Sequence, residues 1–277
     1  MINYADKYST KVDEAFALES KTNGAVNNDY DFTGVNTVNV YSIPTTPLTD
    51  YNIEAVGSRY GNPTELQDVK QTLVLQKDRS FSFVIDRKNL EDTMGVKSAG
   101  EALARQIREQ VIPELDTYTL KKMATNAGTE ALNEAITKAN AYEKFLAGQE
   151  ALGDAKVSVS GRIAYVSFKM FNFLKQDEAF VKQGDMAQTI TINGQVGTVD
   201  GTAIVPVPSS YLPEGVNFII THPVATVRPI KLEDYKIHDN PPGISGQLVE
   251  GRIRYDAFVL NSKKKAIYVS SSQGAIE

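Results

Sequence analysis

The sequence predicts an α+β chain in which strands and helices are segregated along the chain. Three observations support this class: a strand-rich segment at residues 35–92, one long capped helix after it, and a mixed body that closes with strands. A strict alternation of strand and helix would instead indicate a parallel α/β sheet. With 277 residues, 42% of them hydrophobic, the chain can bury a sizeable core. At about 150 residues per domain, its length suggests two units.

The N-terminal segment predicts a helix followed by a loop. Ala5, Tyr8, Val12 and Phe16 recur at steps of three and four and form one helical face. Such a helix could pack on its own core, or it could be an arm whose apolar partner lies on another chain. Residues 22–34 read TNGAVNNDYDFTG, which is the composition of a solvated loop.

Residues 35–92 predict two extended strands in a long hairpin. Within its second half, Thr72 and Val74, and then Phe81 and Ile85, keep an alternation with a period of two. The polar residues 76–79 between these parts favour an exposed hairpin region. A two-stranded ribbon is marginal in water by itself. The segment therefore predicts a surface on which it lies, in the same chain or in a neighbour.

The clearest element is a helix over most of residues 98–125. Ser98 and Glu101 have capping-box spacing, in which each side chain can satisfy a free N–H group of the first turn. Apolar residues then repeat every four positions and predict the buried face: Leu103, Ile107, Val111 and Leu115. Pro113 lies inside this helix and is expected to kink or split it.

The rest of the chain predicts a mixed body. Residues 129–153 are helix-like, with Asn140 as a possible start of a second helix. A buried strand at IAYVSF, a short helix at 169–176 and a hairpin at TITI followed by Asn193-Gly194 come next. Further strands are expected at 202–207, 217–221, 225–230, 247–260 and 266–270.

Composition and motifs argue against an enzyme. The chain has no Cys and only two histidines, His222 and His238, so thiolate metal sites and Cys nucleophiles are excluded. It has no glycine-rich phosphate loop and no G-x-S-x-G nucleophile turn. No apolar run approaches the ~20 residues of a membrane span. The net charge of -5 disfavours a basic nucleic-acid binder. We therefore expect no catalytic residue, no cofactor and no metal.

Charged residues crowd the hairpin between positions 57 and 79. We interpret them as contacts between subunits, since a ribbon that docks on a charged neighbour would carry both signs. The alternative is a flexible hairpin with solvated charges, because an exposed ion pair is worth only about 0–1 kcal/mol. The residues concerned are Arg59, Glu65, Asp68, Lys70, Lys77, Asp78 and Arg79.

In the order of its parts, the chain resembles the major capsid proteins of tailed bacteriophages, which have the Hong Kong 97-type fold. The segments similar to that family cover nearly the whole chain. They are VNTVNVYSIPTTPLTDYN, LQKDRSFSFVIDRKNLEDT, AGEALARQIREQVIPELDTYTLKKMA, GRIAYVSFKMFNFLKQDEAF, GTVDGTAIVPVPSSYLP, THPVAT and GRIRYDAFVLNSKKKAIYV.

The resemblance implies a division of the chain into five parts. These are an N-terminal arm at 1–34, an extended hairpin (the E-loop) with flanking strands at 35–95, and the spine helix with peripheral-domain helices at 96–152. An axial domain at 153–245 and strands that return to the peripheral domain at 246–277 complete the set. The E-loop would lie over a neighbouring subunit.

The resemblance also implies a function. The chain would assemble with itself through pentamers and hexamers into an icosahedral shell around double-stranded DNA, without sequence-specific binding. Some members of the family carry a long cleavable N-terminal scaffolding region, for which this chain has no room. The resemblance therefore implies either a separate scaffolding protein or a sequence that is already a processed form, besides a portal and a decoration protein. The location would be the virion, after assembly in the bacterial cytoplasm. The alternatives are an encapsulin-like nanocompartment shell and, in a different class, an α+β hydrolase or carbohydrate-binding module.

Overall fold

One long helix packs against two separate β-sheets of the chain. The computed structural model describes residues 20–27, 30, 37–43, 45–54, 56–61, 65–66, 69–88, 99–176, 197–199, 201–274 and 276. The predicted N-terminal helix, the helix cap at Ser98, Asp68 and the TITI-Asn-Gly hairpin lie outside these residues.

The described part of the chain consists of short strands and a few helices. The strands are β1 Thr37–Ser42, β2 Val69–Val74, β3 Lys77–Asp86, β4 Thr129–Ala131, β5 Ile163–Ser167, β6 Gly197–Val199, β7 Thr202–Val207, β8 Val216–Thr221, β9 Thr226–Val227, β10 Ile230–Asp239, β11 Gly246–Tyr255, β12 Phe258–Val259 and β13 Ile267–Ser271. The helices are α1 Ala99–Gln106, α2 Ile112–Thr125, α3 Ala141–Asp154 and α4 Phe168–Lys175, with a π-helical turn at Ile107–Val111. The predicted strand at 202–207 and the short helix near 169–176 are confirmed.

The long helix consists of α1, the π-helical turn and α2 in succession. Pro113 has no N–H, and its ring would clash with a carbonyl four residues earlier in a regular helix. The extra residue of the π-turn relieves this conflict, and the Ile112 N–H bonds to the carbonyl of Ile107 five residues back. The helix therefore runs past the proline without breaking.

The first half of the long helix packs on a three-stranded antiparallel sheet in the order β10-β11-β3. The four residues of the predicted stripe are all buried there: Leu103, Ile107, Val111 and Leu115. They contact the inward face of the sheet, including Ile85, Val249 and Ile253. This core joins β3 to strands more than 140 residues later in the chain.

The second half of the long helix packs on a six-stranded mixed sheet in the order β4-β13-β8-β5-β7-β6. Side chains of β5 alternate between its faces: Tyr165 contacts the core that includes Leu120 and Met123 of α2. Ala164 and Val166 point the other way, toward the helices α3 and α4. The sheet is thus covered on both sides, which explains its continuous apolar strands.

Three expectations from the sequence differ from the structure. Residues 76–79 are not a hairpin turn, because β2 pairs with β1 and β3 leaves to pair with β11. Residues 129–139 are not helical: β4 pairs with β13 in parallel, and the helix begins only after Asn140. The strands at 246–277 belong to different sheets: β11 pairs with β3, whereas β13 lies inside the six-stranded sheet.

Residues 22–27, within the predicted N-terminal arm, also differ from the predicted solvated loop. Thr22, Ala25 and Val26 are buried, and the last two belong to the core below the six-stranded sheet. The Asn27 N–H donates to the carbonyl of Thr226 at 2.7 Å, which ties the segment to β9. Polar composition favoured a loop, but here the polar side chains find buried partners.

Candidate functional site

The most unusual surface of the chain is the ribbon, which we define as β1, β2 and the loop between them. The root of the ribbon is docked on the rest of the chain. Val40 and Leu73 are buried on the face of the β1–β2 pair that is turned toward the body. They pack there against Val227 and Leu260. The other face of the root carries Thr72 and other exposed side chains. The root of the ribbon therefore lies on a surface of its own chain, which is one of the two arrangements that the sequence predicted.

The distal ribbon, residues 43–66, has no such support. Every one of its described residues is exposed except Gly61, which is half-buried. Several are large and apolar: Leu48 and Val56 are fully exposed, and Ile53 and Tyr60 are 70% and 82% exposed. In the described part of the chain, ten of the fourteen exposed large hydrophobic side chains lie between Tyr41 and Val74. Contiguous apolar surface of this kind marks a binding site for another macromolecule.

The tip of the distal ribbon has internal order although it lacks a core. The rings of Tyr51 and Tyr60 meet edge to face with centroids 5.1 Å apart. The Asn52 N–H donates to the carbonyl of Arg59 at 3.1 Å, and the Thr49 hydroxyl donates to the carbonyl of Tyr60 at 3.2 Å. A partner would thus meet a partly preformed surface, which lowers the entropy lost on binding.

The charged residues predicted to act between subunits fall into two groups. Arg59, Glu65 and Lys70 are exposed on the ribbon, as a role between subunits would require. That role remains a prediction, and for Asp68 nothing further can be added because it lies outside the described residues.

The second group lies on β3 and has partners within the chain. Asp78 accepts two hydrogen bonds from Arg252, at 2.9 and 2.6 Å, and these hold the pKa of its carboxyl below the usual value. Arg79 pairs with Glu114 of the long helix at 2.8 Å. The Lys77 ammonium lies 5.1 Å from the ring centre of Tyr118. These three residues connect the start of β3, just after the ribbon, to β11 and the long helix.

A buried polar cluster, which the sequence did not reveal, fixes the N-terminal segment. Asp116 is 1% exposed and accepts hydrogen bonds from the hydroxyls of Ser20 and Thr22, both at 2.6 Å. Arg228, also buried, lies 3.4 Å from the same carboxylate and donates to both hydroxyls. Burial lowers the pKa of the Arg228 guanidinium, while the carboxylate opposes that shift. One signal was available: Asp116 interrupts an apolar row between Ile112 and Leu120.

The two histidines have different surroundings in the described part of the chain. His222 accepts the Val224 N–H at 3.2 Å at the start of a short turn, and His238 pairs with Glu250 at 3.3 Å. A groove beside the π-turn is lined by Ser210 but by neither histidine. No group of three acidic or histidine residues in the described ranges could hold a metal ion. No described helix is long and apolar enough to cross a membrane.

Comparisons with known proteins identify the fold. No family model and no curated protein matches the sequence. Among solved structures, a chain of Mycobacterium phage Che8 is similar, with 18% identity, a TM-score of 0.70, and 90% of this chain and 89% of that chain covered. The mature capsid of bacteriophage PhiM1 is similar at 13% identity and a TM-score of 0.63, over 86% and 82% of the two chains.

A third similar structure is a virus-like particle from Pyrococcus furiosus. It has 12% identity and a TM-score of 0.60, and the match covers 98% of this chain and 100% of that chain. Each of these matches covers more than four fifths of both chains, with a TM-score of 0.60 or above. The predicted α+β capsid fold is therefore confirmed.

Proposed function

We propose that the chain is the major capsid protein of a tailed bacteriophage, and that it assembles with itself through pentamers and hexamers into an icosahedral shell. The observation that carries the proposal is the distal ribbon. It exposes apolar side chains, whereas the body of the chain buries its apolar side chains in cores of its own. On a capsid fold, a second copy of the chain is the natural partner for such a surface. Contacts that are individually modest become strong when they are repeated around a closed symmetric shell.

The same proposal gives the chain its contents, partners and location. The shell would enclose double-stranded DNA in the virion, and the net charge of -5 suits an inner wall that must not hold packed DNA tightly. A separate scaffolding protein, a portal and a decoration protein would assist assembly in the bacterial cytoplasm. The chain itself would carry out no catalysis, because shell formation needs complementary surfaces and no reactive centre.

A second candidate is a nanocompartment shell that holds a protein cargo. The match to a virus-like particle extends over nearly all of both chains, so the fold also suits a particle other than a phage head. The two functions share the same surface chemistry and differ in the neighbours of the gene. Genes for a portal and a terminase beside it would support the phage head, whereas a gene for a cargo enzyme would support the compartment.

Substitution of one ribbon residue tests the proposal. Val56→Asp places a charge on a fully exposed side chain of the distal ribbon, so the fold of the subunit should survive while assembly fails. Val159→Asp is the matched control, since Val159 is also exposed but lies outside the ribbon. Size-exclusion chromatography with light scattering and negative-stain electron microscopy measure the assembly.

The expected result is large assemblies for the natural chain and for Val159→Asp, and single subunits with an unchanged thermal melt for Val56→Asp. Equal assembly by both variants would contradict a role for the distal ribbon. A natural chain that stays monomeric under all conditions and shows hydrolase or sugar-binding activity would instead support the different-class alternative.

A further inference from the structure

The root of the ribbon is attached to the body by one side-chain amide as well as by apolar contacts. The Gln71 Nε2 donates to the carbonyl of Val259 at 3.0 Å, and its Oε1 accepts the N–H of Asn261 at 2.9 Å. A neighbouring strand would offer the same donor and acceptor pair. The side chain of Gln71 thus joins β2 to the segment around β12 in a fixed register.

The second attachment lies where β2 passes into β3. The N–H of Gln76 donates to Asp256 Oδ2 at 3.0 Å. Asp256 is only 2% exposed, and its Oδ1 accepts from the Tyr118 hydroxyl at 2.9 Å and from the Ala257 N–H at 2.8 Å. The link between β2 and β3 is therefore connected to the long helix through one buried carboxylate.

Apolar packing alone would not set the direction of the ribbon. The root core of Val40, Leu73, Leu75, Val227 and Leu260 is small, and hydrophobic contact is non-directional. Hydrogen bonds weaken steeply when their angle departs from linear. The attachment at Gln71 lies within the ribbon and the one at Gln76 lies just after its last strand, so together they resist both sliding and rotation.

We propose that Gln71 and Asp256 are positioning residues that fix the angle of the distal ribbon before subunits meet. The inference rests on the proposed function in naming a second copy of the chain as the partner of the ribbon. A ribbon restricted to a narrow range of angles can meet its neighbours in both pentamers and hexamers and still presents nearly the same surface to each of them. A ribbon that hinges freely would meet its neighbours at a range of angles and produce shells of mixed curvature.

The angle can be measured in the unassembled subunit. The chain contains no Cys, so Glu54→Cys in the distal ribbon and Glu150→Cys on α3 would carry the only two spin labels. Both positions are exposed. Double electron–electron resonance then gives the distribution of label-to-label distances, and circular dichroism with a thermal melt verifies the fold of each variant.

The variants are Gln71→Ala, which removes the first attachment, and Asp256→Ala, which removes the acceptor of the Gln76 N–H and with it the second attachment. Thr72→Ala is the matched control: Thr72 follows Gln71 in β2 but faces away from the body, and its hydroxyl bonds only to Asn39 of the ribbon among the described contacts. We expect the distribution to widen about two-fold or more in the Gln71→Ala/Asp256→Ala double variant and to stay narrow in Thr72→Ala.

Shell diameters measured by electron microscopy complete the experiment. A wider spread of diameters in the double variant than in Thr72→Ala is expected. An unchanged distance distribution in a folded double variant overturns the positioning role, whatever the shells look like. If distances respond but the natural chain forms no shells, the proposed function fails and the positioning of the ribbon stands.

Discussion

Removal of the Asp116 carboxylate is the sharpest test of how the N-terminal segment is tied to the core. In Asp116→Ala the hydroxyls of Ser20 and Thr22 and the N–H of Lys21 lose their acceptor. The guanidinium of Arg228, whose side chain is 2% exposed, keeps its charge without a counter-ion. The variant therefore leaves an uncompensated charge in the interior.

The size of the loss follows from this burial. Breaking a buried pair from one side costs roughly 3–5 kcal/mol, because the remaining charge stays desolvated. For domains of about 150–250 residues, each kcal/mol lowers Tm by about 2–4 °C, which gives a decrease of roughly 6–20 °C. The double variant Asp116→Ala/Arg228→Met removes both charges. It should lose no more than Asp116→Ala alone, because the uncompensated charge is gone and only the donors that Asp116 had satisfied remain without their acceptor.

Urea unfolding followed by tyrosine fluorescence and circular dichroism measures these losses; the chain has 13 Tyr and no Trp. Asp78→Ala provides the comparison, since its pair with Arg252 is shorter, at 2.6 Å, but exposed. A smaller loss is expected there, because both charges remain in water. The reasoning is refuted if Asp116→Ala loses no more than Asp78→Ala, or if the losses of the two single substitutions in the buried pair simply add.

Three further predictions concern packing and pH. Leu103→Ala should cost roughly 2–5 kcal/mol in urea unfolding, because a buried cavity remains in the helix–sheet core; an unchanged midpoint would mean that the helix face is wrongly assigned. Gly251→Ala should cost about 1–3 kcal/mol in urea unfolding, since a Cβ would lie 2.8 Å from the ring of Tyr235. Gly243→Ala would not be a suitable control for this variant, because the φ of Gly243 is +84°, which strains any residue with a Cβ. The hydrogen bond from Arg252 lowers the pKa of Asp78 below 3.8, so its stabilisation is present above that pH and disappears as the pH falls through the lowered pKa. Asp78→Asn should therefore flatten the acid side of the Tm–pH profile at low salt, and an unchanged profile would contradict the assignment.

The features that the sequence predicted well are those encoded locally. The four-residue repeat from Leu103 to Leu115 marks a helix face wherever the partner lies, and this face is buried in the structure. Strand β7 and the short helix after β5 were also predicted, since each is marked by a run of apolar residues that are close together in the chain. Pro113 correctly indicated a disturbance, although the chain absorbs it in a π-turn instead of a break.

The features that the sequence did not predict depend on distant partners. The alternation around Phe83 specified two faces for β3 but not β11 as its neighbour, because Phe83 pairs with Val249 far along the chain. Apolar spacing in residues 129–139 suggested a helix, but pairing with β13 overrides that preference. The partner of Asp116 could not be named, since any of many basic residues could have occupied the position of Arg228.

The central claim is that the distal ribbon joins one copy of the chain to the next. A cryo-electron-microscopy reconstruction of the particles formed by the natural chain tests it most directly. The account predicts a closed shell in which residues 43–66 lie against a neighbouring copy and Leu48, Val56 and Tyr60, which are exposed in the single chain, become buried at that contact. A closed shell in which these side chains still face solvent would contradict it.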